Sequence, residues 1–420
     1  MTQEFDTRTV GGAEDPTIHI APVPRISVQA FCETPDVAAV LQTAVQDRRM
    51  MKAHVKINMG GAPAAVEAYR SAPTPNLIII ETAGERDLLI QHLDILAGSC
   101  DAGTKVVVIG RVNDILLYRQ LMARGVSEYL VMPFEVLEFI GHISALYTSP
   151  DADVVGKIIC VVGAKGGVGA STIAHNLGWS IATNLEMPTV IVDLDLPYGT
   201  AGLDFNQDPP QGIAEAVFSQ DRVDANFIDR LMSRCSEKLT IMAAPATLEK
   251  PYDFGEGAFD QVLDILRTSV PCIILDMPHM WTAWSRRLMI GADELLIVAE
   301  PDLANLRNTK NLFDAMKTAR PNDKHPQLLM NRTGVLKRPE ISIPDFAKAV
   351  ERSPIAEIPF DAKLFGTAAN NGHMICEVEP DNKSVATIDQ LARVLTGRSE
   401  IKKEKKSLLS PLLSRLRKSA

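Results

Sequence analysis

Short apolar runs that end in polar or acidic residues recur along the chain, each followed by a stretch of helical periodicity. "RISVQAF" (25–31), "AHVKINM", "NLIIIETAG", "TKVVVIGRV" and "SEYLVMP" read as strands. "PDVAAVLQTAVQDRRM", "AAVEAYRSA" and "DILLYRQLMARG" read as helices, the last closing on Gly125 as a C-cap. Runs that are apolar throughout suit strands buried on both faces, as in a parallel sheet. The pattern predicts a doubly wound α/β domain over 25–147. After a polar junction, "YTSPDADVVG" (147–156), the alternation restarts at "KIICVVGA" and continues through "TVIVDLDL", "CIILDMP", "ELLIVAEP", "QLLMNRTG" and "IAEIPFD". Helices such as "NLRNTKNLFDAMKTA" and "SVATIDQLARVL" lie between or after them. A second α/β domain with a mostly parallel sheet is therefore expected over 157–397. Residues 1–24, rich in Pro, Gly, Thr and acids, read as a disordered lead, and 398–420 as a basic amphipathic tail.

Composition adds limits. Of 420 residues, 46% are hydrophobic and 23% charged, with a formal charge of -9, the balance of a soluble globular protein. The charge is uneven: residues 401–420 hold seven Lys and Arg against Glu404 alone, so the other 400 carry −15. An acidic body speaks against nucleic-acid binding, and a basic tail suggests something negative to meet. In the tail, Leu412, Leu413 and Leu416 share a face opposite Arg417 and Lys418, behind Ser410 as an N-cap, which would suit an anionic inner-membrane surface. A solvated tail or a partner-docking helix is the alternative. The six cysteines are scattered without metal-ligand spacing and read as free thiols. With no secretory signal and no membrane-spanning run, a cytoplasmic protein is expected.

The chemistry centres on "AKGGVGAST" (164–172), between a buried strand and an amphipathic helix. Gly166, Gly167 and Gly169, with Val168 between them, let backbone N–H groups converge on an anion at a helix N-terminus. Ser171 stands where a hydroxyl would hold Mg²⁺, and Thr172 continues the helix start. The usual phosphate-loop pattern is broken at Ala164 and at Ala170, where a lysine is expected, while Lys165 sits early in the loop. Asp193 and Asp195 close one apolar strand. Asp276 closes another, as a Walker-B carboxylate does when it supports Mg²⁺. His175, Trp179, His279, Trp281 and Trp284 read as packing residues.

"KGGVGAST", "VIVDLDLPYGTAGLDF", "IILDMP", "ADELLIVAEPDLANLRNTKNLFD" and "LLMNRTG" resemble successive motifs of the MinD/ParA family of deviant-Walker ATPases, over about 157–397. The resemblance implies a P-loop fold that binds ATP and Mg²⁺ in a homodimer. Lys165 would reach the partner's phosphates, Asp195 would orient the attacking water, Asp193 and Asp276 would support the metal, and Asn331 would lie near the adenine. The departure is Ala170. Together with the first domain, "GAKGGVGAST" and "DLDLPYGTAGLDF" resemble the CpaE/TadZ group of Tad (Flp) pilus assembly, cytoplasmic and usually polar localisation factors for secretion machinery. ATP-dependent association with slow or negligible hydrolysis is expected. A DNA-binding partition ATPase and a scaffold that binds no nucleotide are the alternatives.

The first domain resembles a response-regulator receiver, a flavodoxin-like fold. Its phosphoacceptor position falls on Glu81, "QAFCE" replaces the acidic pair after the first strand, and Met132 replaces the lysine before Pro133. Acyl-phosphate chemistry lacks its metal acids here, so Glu81 is expected to be a fixed structural acid in an interaction module.

Overall fold

The computed structural model describes residues 20–70, 72–84, 86–101, 103–147 and 155–398. The expected basic tail, with its proposed membrane contact, and residues 1–19 of the lead lie outside the described residues. The chain divides into two compact units between Asp153 and Val154, the first also taking in Arg320–Asp323. No helix among the described residues is long and apolar enough to cross a membrane.

In the first unit, β1 (Ser27–Cys32), β2 (His54–Met59), β3 (Leu77–Glu81), β4 (Lys105–Gly110) and β5 (Glu128–Val131) pair in parallel in the order β2-β1-β3-β4-β5. That is the flavodoxin-like order. β3 is buried at all of its positions, because helices pack on both faces of the sheet. The packed chain starts before residue 25: Val23 is fully buried, and its N–H donates to the Arg49 carbonyl at 2.8 Å.

In the second unit, β6 (Lys157–Gly163), β7 (Thr189–Asp193), β8 (Ser233–Arg234), β9 (Leu239–Met242), β10 (Cys272–Met277), β11 (Glu294–Ala299), β12 (Gln327–Thr333) and β13 (Ala356–Pro359) form one sheet. Its order is β13-β12-β11-β6-β10-β7-β9-β8, parallel except for the β8–β9 pair. The sequence pattern missed that pair and the helices Ala283–Gly291, Ile343–Val350 and Ala362–Asn371. β6 and β7 flank β10, with Asp276 and Asp193 in register as direct neighbours. Three strands distant in sequence thus bring their C-terminal ends to one place. All six cysteines are free thiols.

The receiver-like site of the first unit has been turned into a cap. Glu81 is buried, and its carboxylate accepts from the Glu33 N–H at 2.7 Å, the Thr34 N–H at 2.9 Å and the Thr34 hydroxyl at 2.6 Å. Thr34 is the N-cap of the helix Pro35–Val45, so the acid neutralises a helix start where a receiver would keep a metal. Beside it, burial and the charge of Glu81 push the Cys32 thiol up to about 11. Glu81→Ala leaves buried donors without an acceptor and is expected to destabilise this unit by about 2–3 kcal/mol, read by urea unfolding.

Candidate nucleotide-binding site

The loop 164–169 leaves β6 and enters the helix Ala170–Asn184 at Gly169, whose φ of +85° is left-handed. A Cβ there would also lie 2.8 Å from Asn331 Nδ2, so only glycine fits. Four side chains from elsewhere hold the carbonyls of this turn. His279 Nδ1 stands 3.1 Å from the Gly163 carbonyl, a hydrogen bond when that nitrogen carries the proton. Asn308 Nδ2 donates to the Ala164 carbonyl at 2.8 Å, Arg332 Nη1 to Gly167 at 2.7 Å, and Asn331 Nδ2 to Val168 at 2.8 Å. A trans peptide carries its C=O and N–H on opposite sides. Carbonyls pinned from outside therefore turn the N–H groups of Lys165, Val168 and Gly169 the other way, which is how an anion nest is held open.

Lys165 does not fold back into this turn. Its side chain is half exposed, with Nζ 3.7 Å from Asp302 Oδ2 at the start of the helix Leu303–Ala319. An exposed ion pair of that length holds the ammonium loosely. Asp302 sits lower than an ordinary carboxylate: burial would raise it, but the backbone and side chain of Asn305 and the Lys165 charge prevail. Ala170 opens the helix and offers no charge.

The acids gather opposite the loop. Asp193 is fully buried and accepts from the N–H groups of Asp195 at 3.1 Å and Ala201 at 3.0 Å. Those bonds wrap residues 194–200 around it. Gly199 permits the wrap, since a Cβ at that position would come within 2.3 Å of Asp193 Oδ2. Both Asp193 oxygens thus shape the loop that presents half-buried Asp195. Burial and the neighbouring Asp276 push the Asp193 carboxyl up, against His175 and the two N–H groups. Asp195 is raised as well, chiefly by burial. Asp276 is buried at the end of β10, and its Oδ1 has no hydrogen-bond partner among the described residues.

Two histidines read as packing residues take polar roles: His279 on the loop, and His175 among the acids. His175 is fully buried, with Nδ1 2.7 Å from Asp204 Oδ2 and Nε2 3.3 Å from Asp276 Oδ2. The second contact is too oblique for a well-formed hydrogen bond and acts as an ion contact. Burial alone would lower the imidazole; its two carboxylate partners outweigh it and raise it to about 10. Trp179 and Trp284 do pack, on Phe205 and Phe259, but Trp281 is 55% exposed. Asn308 and Arg332 lie within quoted motifs and His279 just after one, but nothing in those motifs assigns them a role, because their partners lie more than a hundred residues away.

A cavity of about 310 Å³ opens beside the helix start, lined by Gly169, Thr172, Asn331, Arg332, Phe360 and Phe365. Asn331, expected near a base, lies on its wall and braces the loop as well. A second cavity of about 270 Å³ lies against Ala164, His279, Trp281 and Asn308.

A magnesium ion fits the donors at hand. Ser171 stands in the first turn of the helix that follows the loop, and Asp276 Oδ1 is a buried oxygen without a hydrogen-bond partner among the described residues. Hard oxygen donors suit that ion. Asn331→Ala leaves the Val168 carbonyl unbraced and is expected to cost about 1–3 kcal/mol of stability. Urea unfolding measures that loss, and a fluorescent ATP analogue reads the accompanying weakening of nucleotide affinity.

A family profile described as an AAA domain matches residues 156–329. The septum site-determining protein MinD of Bacillus subtilis is 23% identical over 260 residues, 58% of this chain and 91% of its own. The MinD of Pyrococcus horikoshii OT3, solved with Mg-ADP, aligns with 57% of this chain and 96% of its own at 20% identity and a TM-score of 0.51, a likeness of fold. The pilus assembly protein CpaE of Caulobacter crescentus CB15 is 48% identical over 31% of this chain and 98% of its own, with a TM-score of 0.30; sequence identity is what relates the two. The chain belongs to the MinD/ParA family of P-loop ATPases and is close to the CpaE pilus assembly proteins.

Proposed function

We propose that this chain binds ATP with Mg²⁺, dimerises when it does so, hydrolyses slowly, and positions components of a Tad (Flp) pilus or related secretion machinery at a cytoplasmic, polar site. The observation that carries the reading is the displacement of charge at the loop. Ala170 leaves the helix start bare, while the Lys165 ammonium stands outside the turn on an exposed partner. A lysine about 4 Å from a phosphate contributes on the order of 4 kcal/mol of raw Coulomb attraction at an effective dielectric near 20, before desolvation. A monomer of this chain lacks that contribution from the usual position. A second copy, offering its own Lys165, would restore it, so that binding and association support each other.

The remaining groups take roles that the geometry favours. The braced loop would hold the phosphates through its N–H groups, Ser171 and Asp276 would hold the metal, and the cavity beside Asn331 would take the base. When bound, Mg²⁺ would neutralise phosphate oxygens as charge shifts between them. Asp195, half-buried and raised by that burial, would orient water. Slow turnover follows from the missing lysine, because the transition state gathers charge on the transferred and leaving oxygens. The link to a pilus rests on the similarity to CpaE. The basic tail would bring the protein to an anionic inner-membrane surface, and a homodimer would present two such tails.

Two variants test the charge displacement. Lys165→Ala is expected to abolish ATP-driven dimerisation in analytical ultracentrifugation while leaving the monomer folded. Ala170→Lys is expected to tighten monomer binding of ATP by about tenfold, a net gain of about 1.4 kcal/mol, and to speed hydrolysis. Brisk hydrolysis by wild-type monomers would contradict the reading.

A further inference from the structure

The buried histidine among the acids has no part in the reading so far, yet its geometry is specific. His175 projects from the helix Ala170–Asn184, just over one turn beyond Ala170, and its ring packs at 5.6 Å on Phe205. Its two nitrogens face carboxylates on different elements. One is Asp276 at the end of β10, and the other is Asp204 on the short helix Ala201–Asp204. That helix ends the segment that starts at Asp193 and carries Asp195. Asp193 clamps the near end of the segment through the N–H groups of Asp195 and Ala201. Asp204 clamps its far end through the imidazole, with the Thr200 hydroxyl 3.4 Å away on the same oxygen.

The consequence for Asp276 is an asymmetry. Its Oδ2 faces His175, while Oδ1 is buried and unpartnered among the described residues. A carboxylate free to rotate would exchange these two oxygens; one held on a single side cannot. Outer partners that fix a ligand in this way are worth about 10–100-fold in metal affinity. His175, Asp193 and Asp276 also place three potential ligand atoms within 4.8 Å of one another. Both Asp193 oxygens are already engaged by backbone N–H groups, however, which favours a positioning role over a second metal centre.

We propose that His175 is a positioning residue: the Asp204–His175–Asp276 relay aims Asp276 Oδ1 at the metal of a bound nucleotide and ties the Asp195 loop to that carboxylate. The relay rests on the reading that the chain binds Mg²⁺-nucleotide. It extends that reading by making the loop that carries Asp195 respond to occupancy of the metal site.

The test is titration with a fluorescent ATP analogue, with Mg²⁺ and with EDTA, of wild type, His175→Gln, Asp204→Asn and the double variant. Thermal melts followed by circular dichroism serve as the folding control. Each single variant is expected to lose about tenfold of the Mg²⁺-dependent gain in affinity. Affinity in EDTA should stay unchanged, and the double variant should be no weaker than His175→Gln alone. Should His175→Gln fail to fold, Asp204→Asn carries the same test at a position that is partly exposed. Folded variants that keep the full gain, or two losses that simply add, overturn the relay alone. Stoichiometric binding of zinc or manganese without nucleotide, lost in His175→Gln, also overturns it by making the histidine a ligand. A wild-type chain that binds no nucleotide removes the underlying reading, and the relay falls with it.

Discussion

The phosphate loop is held from outside, and the rest of the site depends on that. A glycine-rich turn has little conformational preference of its own, so an open nest of N–H groups must be imposed by its surroundings. Here the imposition is explicit: His279, Asn308, Arg332 and Asn331 each take one carbonyl of residues 163–168. The four come from the segment after β10, the helix after β11, and the end of β12. The shape of the loop is thus a property of the whole sheet edge rather than of the loop sequence. Arg332 is itself anchored, with Nη1 3.2 Å from Glu300.

Charge is arranged around this frame in an unusual way. Lysine is absent at the helix start and present at the loop's outer side, while three aspartates collect at the ends of β7 and β10. Asp193 is consumed by backbone N–H groups, and Asp276 shares its charge with a buried imidazole. A buried carboxylate facing an imidazole is less costly than one left with no partner at all. The same histidine that makes Asp276 tolerable in the core also fixes which of its oxygens is free. Stability and chemistry therefore run through one contact.

How much of this was legible in the sequence follows from the range of the interactions. Central strands such as β3, β6 and β10 announce themselves because helices cover both faces and all but one position of each is apolar or glycine. The two-residue β8 is invisible, since so short an edge strand has no period to detect. The helix Ala362–Asn371 is mostly small and polar residues and showed no clear stripe, yet Phe365 and Gly366 form the wall of the cavity beside Asn331. The glycines, Ser171 and the strand-end acids were readable as chemistry. Of the braces, only Asn331 had been singled out as a site residue, and His175 had not, because a histidine or asparagine acquires a role only when the strand order sets a distant carbonyl or carboxylate before it. Asp193 and Asp276 illustrate the point: they are direct neighbours in register and 83 positions apart in the chain. In the first unit "QAFCE" stands where an acidic pair is expected after the first strand, which marked Glu81 as a fixed acid. That Glu81 would instead close a helix N-terminus needed the structure.

The central claim is that a cation absent from the home loop is supplied by a second copy, and its most direct signature is linkage between nucleotide and protein concentration. ATP affinity should be measured by isothermal titration across a wide range of chain concentration. The account requires apparent affinity to rise with concentration in the wild-type chain and to be flat in Lys165→Ala. Affinity that is independent of concentration in wild type, or a rise that persists without Lys165, would contradict it.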